Sequence, residues 1–156
     1  MGKGGTYIQR EAAAGVHGVR AKTVEFTEDG GTTITGSVAI PAGSLVLDIK
    51  VRNTVLWDDG TSATMIVGDD DDANGFFAAV NVKATDLVVG EEINFENFGG
   101  KQGVYLVAAT GHRAVYYPAA NNIIGVVTSG GQDGSAGRTL MTVIYVEASK
   151  EQAVSV

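Results

Sequence analysis

Apolar and polar residues alternate along much of the chain, most clearly between residues 45 and 57. The odd positions there are mainly apolar and the even ones mainly polar, which is typical of a strand with one buried and one solvated face. The apolar set is Leu45, Leu47, Ile49, Val51, Val55 and Trp57. The pattern therefore predicts a strand whose odd-numbered side chains face a core. Val46 and Leu56 interrupt the polar face, and their predicted exposure favours an oligomer.

A second alternating segment precedes this strand, with apolar residues at even positions from Ile34 to Ile40. Pro41, Ala42 and Gly43 lie between the two segments, and such a short turn predicts an antiparallel hairpin. Asp58, Asp59 and Gly60 form the next turn signal, and the strand predicted at residues 63–67 would continue a meander.

Further strands are predicted at residues 21–27, 104–108, 123–128 and 139–146, the last two joined by the glycine-rich loop SGGQDGSAGR. Residues 76–87 fit a short helix and a pair of short strands equally well, and residues 10–14 are a second candidate helix. No alternation of strands with helices is present, so a nucleotide-binding α/β fold is not expected.

These elements predict a mainly β protein: an antiparallel β-sandwich or jelly roll of about eight short strands. Residues 1–20 carry five glycines and three consecutive alanines, a composition that cannot form a core alone. We therefore predict an extended N-terminal arm over residues 1–20, a sandwich domain over residues 21–148 and a C-terminal tail over residues 149–156.

Composition narrows the classes of function. The 156 residues include 18 acidic and 11 basic side chains, for a net charge of −7, which disfavours nucleic acid as a partner. The chain has no cysteine, which excludes disulfides and thiolate chemistry. No segment approaches the roughly 20 apolar residues that span a bilayer, and no signal peptide is recognisable, so no membrane partner is expected.

Four consecutive aspartates in VGDDDDANGFF, residues 67–77, raise the question of calcium. In an EF-hand register starting at Asp70, the first, third, fifth and sixth positions are suitable, but the twelfth is Asn81, which cannot supply a bidentate carboxylate. An EF-hand is therefore rejected. A looser calcium turn stays open, with ligands from Asp69, Asp70, Asp72 and Asn74. The favoured alternative is a solvated turn, because aspartate, asparagine and glycine stabilise turns by themselves. No other cofactor is indicated.

No pattern in the sequence indicates an enzyme. Paired catalytic carboxylates stand across a cleft, whereas these lie in one loop. The sequence contains no GxSxG motif for a nucleophile. The glycine-rich segment at residues 130–139 lacks the GK[ST] ending of a phosphate-binding loop and precedes a strand.

The segments TITGSVAIPAGSLVLDIKVRNTVLW, MIVGDDDDANGFF and LVVGEEINF, followed by NIIGVVTSGG, GSAGRT and MTVIYV, resemble small virion structural proteins of tailed bacteriophages. The resemblance is strongest to head decoration, or cement, proteins and covers about residues 23–146. It implies a non-enzymatic β-sandwich or jelly roll, often trimeric, that lies on the capsid exterior and braces the joins between major capsid subunits. The expected partners are the major capsid protein and two further copies of this chain, after synthesis in the host cytoplasm.

The arm is the expected capsid-binding element, with Tyr7, Ile8 and Arg10 as anchors, because aromatic and arginine side chains dominate binding hot spots. An equally good interpretation is that Tyr7 and Ile8 begin the first strand. Alternative functions are a tail, fibre or head-to-tail joining component, and a carbohydrate-binding module. The last would need an exposed aromatic platform, for which the candidates are Trp57, Tyr116 and Tyr117.

Overall fold

A computed structural model describes residues 18–106, 114–132 and 134–147. This part of the chain contains no helix and nine strands. The strands are β1 (Val19–Thr27), β2 (Thr33–Ile40), β3 (Ser44–Val55), β4 (Ser62–Asp69), β5 (Phe77–Asn81), β6 (Glu92–Ile93), β7 (Val115–Tyr117), β8 (Asn121–Gly130) and β9 (Arg138–Glu147). Accordingly, no helix that could cross a membrane occurs among these residues.

The strands form two antiparallel sheets, so the predicted β-sandwich is confirmed. One sheet has the order β1-β9-β3-β6, with β7 also paired to β3, and the other has the order β2-β8-β4-β5. The inner faces meet in a core of aliphatic and aromatic side chains, among which Phe26, Trp57, Phe76, Phe77 and Tyr145 are the largest fully buried aromatic members.

The predicted hairpin between β2 and β3 is wrong. The two strands belong to different sheets, and the three-residue turn between them carries the chain across the sandwich. Gly43 adopts a φ of 78° in that turn, and its amide donates a hydrogen bond to the Tyr117 carbonyl at 2.8 Å. The connections β3–β4 and β8–β9 also change sheets, so the predicted meander is wrong as well. Alternation shows that each strand has one apolar face, but it does not specify the neighbour with which the strand pairs.

The predicted phase of β3 is also wrong in its first half. A register shift lies between Val46 and Asp48, and it turns the fully buried Val46 inward while Leu45 and Leu47 are only half-buried. A bulge adds one residue and so exchanges the two faces of a strand. The buried Val46 therefore gives no support to the oligomer that its predicted exposure favoured.

A second register shift, between Asn53 and Val55, changes which side chains face the core at the other end of the strand. Asn53 faces the core, whereas Val55 and Leu56 are exposed. The exposure of Leu56 agrees with the prediction, and that of Val55 contradicts it. Trp57 is buried as predicted, so an odd-numbered side chain again faces the core just after β3.

Two other predicted elements differ from the structure. Residues 104–106 form a turn rather than a strand, and the remaining residues of that predicted strand lie outside the described part. Of the alternatives for residues 76–87, the structure contains a single strand, β5, followed by a turn. The candidate helix at residues 10–14 lies outside the described residues. β1 begins at Val19, within the segment predicted as the arm.

A buried polar network joins the two central strands of the larger sheet to a neighbouring loop. The Trp57 indole donates to the Thr139 hydroxyl at 2.8 Å, and that hydroxyl donates to the Asn53 side-chain oxygen at 2.6 Å. The Asn53 amide in turn donates to the carbonyls of Val82 and Leu87 at 2.6 and 2.8 Å. Every one of these side-chain groups therefore has a partner, which is the condition for a polar group to be tolerated in a core.

The strand connections lie at two opposite ends of the sandwich. One end, which we call the aspartate end, contains residues 41–43, 69–75 and 116–121. Both limits of the described fold are also there, because Val19 pairs with Val146 and Ser44 pairs with Glu147. The opposite end, which we call the far end, contains the connections at residues 28–32, 56–61 and 131–137.

Candidate functional site

Asp69, at the end of β4, is the centre of a hydrogen-bond cluster at the aspartate end. Its side chain is 4% exposed, and its Oδ2 accepts a bond from the Tyr117 hydroxyl at 2.7 Å. Its Oδ1 accepts from the Tyr105 hydroxyl at 2.9 Å and from the amides of Asp71 and Asp72 at 3.0 and 2.9 Å. One carboxylate thus joins β4, β7, its own turn and the segment that contains Tyr105.

The two tyrosines are fixed as hydrogen-bond donors. Burial, followed by the hydrogen bond to Asp69, raises the pKa of Tyr117 far above its ordinary value, and the same causes act on the pKa of Tyr105. Both hydroxyls therefore keep their protons at physiological pH. A negative carboxylate beside two neutral donors is a charge-assisted arrangement, which is stronger than a bond between neutral groups.

The following aspartates interact with the neighbouring strand and with their own turn. The Asp70 carboxylate accepts from the Asn122 amide at 3.1 Å and from its side chain at 2.9 Å. The Asp72 side chain accepts from the Asn74 amide at 3.2 Å. Asp71 has a weaker contact, a 3.5 Å approach from the Asn121 side chain. The favoured prediction of a solvated turn agrees with the exposure of Asp70, Asp71 and Asn74, but not with the buried Asp69.

The turn is also held closely against its neighbours. A Cβ atom on Gly68 would collide with the backbone of residues 72 and 73, and one on Gly75 would collide with the Tyr105 ring. Gly103 similarly has no room for a side chain beside the backbone of residues 74 and 75. Glycine is therefore required at these three positions by close approach of other atoms.

The calcium turn stays a prediction. Asp69 uses both carboxylate oxygens for protein donors, so a cation at Asp69, Asp70, Asp72 and Asn74 would have to displace existing bonds. Within the described ranges, no group of three or more histidine, aspartate or glutamate side chains is arranged to hold a metal ion.

A shallow cavity of about 280 Å³ adjoins the cluster. Its apolar wall is formed by Val115, Tyr116, Pro118 and Ala119, and Asp71 lies on its polar side. Tyr116 is 59% exposed, whereas Trp57 and Tyr117 are buried. The three aromatics proposed as a carbohydrate platform therefore do not form a common surface.

The far end contains a different acidic feature. Glu28 Oε2 and Asp59 Oδ2 are buried and have no hydrogen-bond partner in the described part of the protein. Burial raises the pKa of Glu28, the Gly30 amide opposes this shift, and the negative charge of Asp59 adds to it. The Lys83 ammonium contacts the Asp59 backbone carbonyl, and Arg138 lines a shallow recess together with Glu28. The two carboxylates thus repel each other at a cost to stability.

The sequence analysis found the aspartates but not the residues that organise them. Tyr105 and Tyr117 are 36 and 48 residues away from Asp69 along the chain, and no local pattern links them. The only available signal was the presence of tyrosines in otherwise apolar strand-like segments. The predicted anchors Tyr7, Ile8 and Arg10 lie outside the described residues.

Comparison with known proteins relates the chain to solved virus structures. No protein-family model matches the sequence, and no curated protein matches it. A chain in the acid-stable capsid structure of Helicobacter pylori bacteriophage KHP30 has a TM-score of 0.54 and 14% identity, over 84% of this chain and 90% of that chain. Because the match covers most of both, the two chains are similar in length and share a fold.

A second similarity is to a chain in the structure of infectious bursal disease virus, Gx strain. It has a TM-score of 0.24 and 16% identity, over 85% of this chain and 37% of that chain. A TM-score of this size does not indicate a shared fold.

Proposed function

We propose that the protein is a non-enzymatic structural component of a virion that binds the outer surface of the capsid and stabilises the shell. The observation that carries this proposal is the fold shared, along nearly the whole chain, with a component of similar length in a phage capsid structure. The resemblance of the sequence to phage decoration proteins points to the same role. Fold alone does not give function, so the proposal needs a direct binding test.

The strand order is consistent with this role. Successive strands alternate between the sheets for the first half of the chain, and β8 and β9 return between earlier strands. This connectivity supports a jelly roll, in which two Greek keys are wrapped into one sandwich. Such a domain presents two ends and two outer faces on a rigid core, which suits attachment to a large surface.

The proposed partner is the major capsid protein, and the proposed assembly is a homotrimer on the capsid exterior. A standard interface buries about 1,600 Å² in total, and repetition of such an interface around a shell would add many modest contacts across subunit boundaries. Residues 1–17 are the proposed docking arm, with Tyr7, Ile8 and Arg10 as anchors.

The decisive experiment is co-sedimentation of the purified chain with expanded capsids that lack it. The full chain should bind saturably, and a chain without residues 1–17 should bind at least tenfold more weakly, because this deletion removes the anchors but leaves β1 intact. The matched control replaces only Lys3 by alanine. Failure of the full chain to bind would overturn the capsid proposal and favour a tail, fibre or joining component.

Two further measurements complete this test. Sedimentation equilibrium should give the mass of a trimer, and a monomer mass at all concentrations would refute the trimer. The binding assay repeated with a calcium chelator tests the calcium turn, since a cation at the aspartates would make binding or stability sensitive to its removal.

A further inference from the structure

The most exposed large apolar side chains among the described residues lie at the aspartate end. Val19 is 65% exposed, Val104 is 63% exposed and Tyr116 is 59% exposed. Val19 is the first residue of β1. Val104 precedes Tyr105 and Tyr116 precedes Tyr117, and both of these tyrosines donate a hydrogen bond to Asp69. Val19 and Tyr116 are separated by β9 and β3, so these side chains are distributed across this end rather than joined in one cluster. Exposed apolar surface of this kind commonly marks contact sites.

The cavity beside Tyr116 adds shape to this surface. Its wall combines the tyrosine ring with Pro118 and Ala119, and its polar side includes the carboxylate of Asp71. An aromatic side chain at the edge of an apolar recess is the type of group that anchors interfaces. The recess and the exposed ring together can interdigitate with a partner in a way that a flat surface cannot.

The charge of this end indicates the chemistry of the partner. In the described structure, the carboxylates of Asp70, Asp71 and Asp72 accept hydrogen bonds from amides but form no ion pair with lysine or arginine. Among the described residues, the Asp71 carboxylate has only the long contact with Asn121, so it is available to a new donor. A surface that offers lysine or arginine would complement this charge.

The course of the chain provides an independent argument. The described fold begins beside Val146 and ends beside Ser44, both at the aspartate end. Residues 1–17 and 148–156, which lie outside the described part, are therefore joined to the fold at this end and not at the far end.

On the basis of the proposed function, we infer that the aspartate end is the face that docks on the shell. The partner surface is a region of the shell protein that offers a lysine or arginine to Asp71 and an apolar contact to Tyr116. The far end then points away from the shell.

The test uses the full chain and four variants in the capsid-binding assay. Tyr116→Ser and Asp71→Asn alter the aspartate end. Val89→Ser and Asp29→Asn are the matched controls: Asp29 lies at the far end, and Val89 lies beside Asn53, close to the end of β3 that leads there. Val89 is 54% exposed, and Asp29 accepts a single backbone bond, from Gly31, in a similar turn. Thermal unfolding is measured first, and all four midpoints should stay close to that of the parent because the changes are on the surface.

Tyr116→Ser should weaken binding by about tenfold or more, as expected for the loss of an aromatic anchor. Asp71→Asn should weaken binding at low salt and reduce its dependence on salt. Both controls should bind with an affinity within about twofold of the parent's, because surface substitutions outside an interface usually have effects of this small size.

The inference is overturned, while the proposed function stands, if the parent binds and the control variants are impaired as much as the aspartate-end ones. It is also overturned if neither Tyr116→Ser nor Asp71→Asn changes binding. If the parent itself does not bind capsids, the proposed function fails and the docking face with it.

Discussion

Replacement of Asp69 by alanine would remove the acceptor that the hydroxyls of Tyr105 and Tyr117 share. Hydrogen bonds to charged groups contribute about 1.5–3 kcal/mol each, and the buried Tyr117 hydroxyl has no other partner among the described residues. Tyr105 is only half-buried, so water can replace part of its loss. We therefore expect Asp69→Ala to lower the free energy of unfolding by about 3–5 kcal/mol, near the upper end for single substitutions.

Asp69→Asn separates charge from shape at the same position. Asparagine keeps one acceptor oxygen, but its amide would face a tyrosine hydroxyl, which must then reverse its role from donor to acceptor. The expected loss is about 1–2 kcal/mol, the difference between charged and neutral hydrogen bonds. Asp70→Ala is the control, since Asp70 is exposed and its bonded partner Asn122 can turn to water, and its cost should be below about 1 kcal/mol.

Urea unfolding followed by tryptophan fluorescence measures these differences, because Trp57 is the single tryptophan and is buried. A double-mutant cycle with Tyr117→Phe should give a coupling energy of at least about 1 kcal/mol. The reasoning is refuted if Asp69→Ala costs no more than Asp70→Ala, or if Tyr117→Phe is equally costly with and without Asp69.

Two further predictions concern the core and the far end. Thr139→Val should lower the free energy of unfolding by about 2–4 kcal/mol, because it leaves the Trp57 indole and the Asn53 oxygen unpaired in the core. Thr142→Val, on the outer face of the same strand, should lower it by less than about 1 kcal/mol in the same urea assay. Equal losses for the two variants would contradict this prediction. Glu28→Gln should stabilise the protein at pH 7, because a raised folded pKa means that stability falls as pH rises from about the ordinary value of 4.5 through the folded pKa. The gain should vanish below about pH 4, where the carboxyl is protonated in both states, and a gain that persists there would show that charge is not its cause.

Local pattern was sufficient to find most strands. β4, β8 and β9 agree closely with the predicted segments, because each has one apolar face and glycine or aspartate at its limits. It was not sufficient to place them in sheets. The three-residue turn after Ile40 has the length of a hairpin turn, yet it crosses between sheets, because pairing of β2 with β8 and of β3 with β9 buries both apolar faces.

The candidate site shows the same limit at the level of side chains. The run of aspartates was visible, but the special role of Asp69 among them was not, because that role depends on two distant tyrosines. The bulge beside Val46 is a comparable case. Its position is fixed by pairing with β9 and by the Asp48 carboxylate, which accepts the Phe95 amide at 2.9 Å. Neither contact has a signal in the local alternation.

The bonds around Asp69 bear on how well the aspartate end can bind a partner. Each side chain or loop that becomes ordered on binding costs about 0.5–1.5 kcal/mol per immobilised group. At this end the backbone beside Tyr116 is already fixed, because Tyr117 is bonded to Asp69 and the three following residues lead directly into β8. The Tyr116 side chain is then the main group left to order. By holding this backbone in place, the buried Asp69 thus also lowers the entropic cost of the proposed docking, although Asp69 itself would not contact the partner.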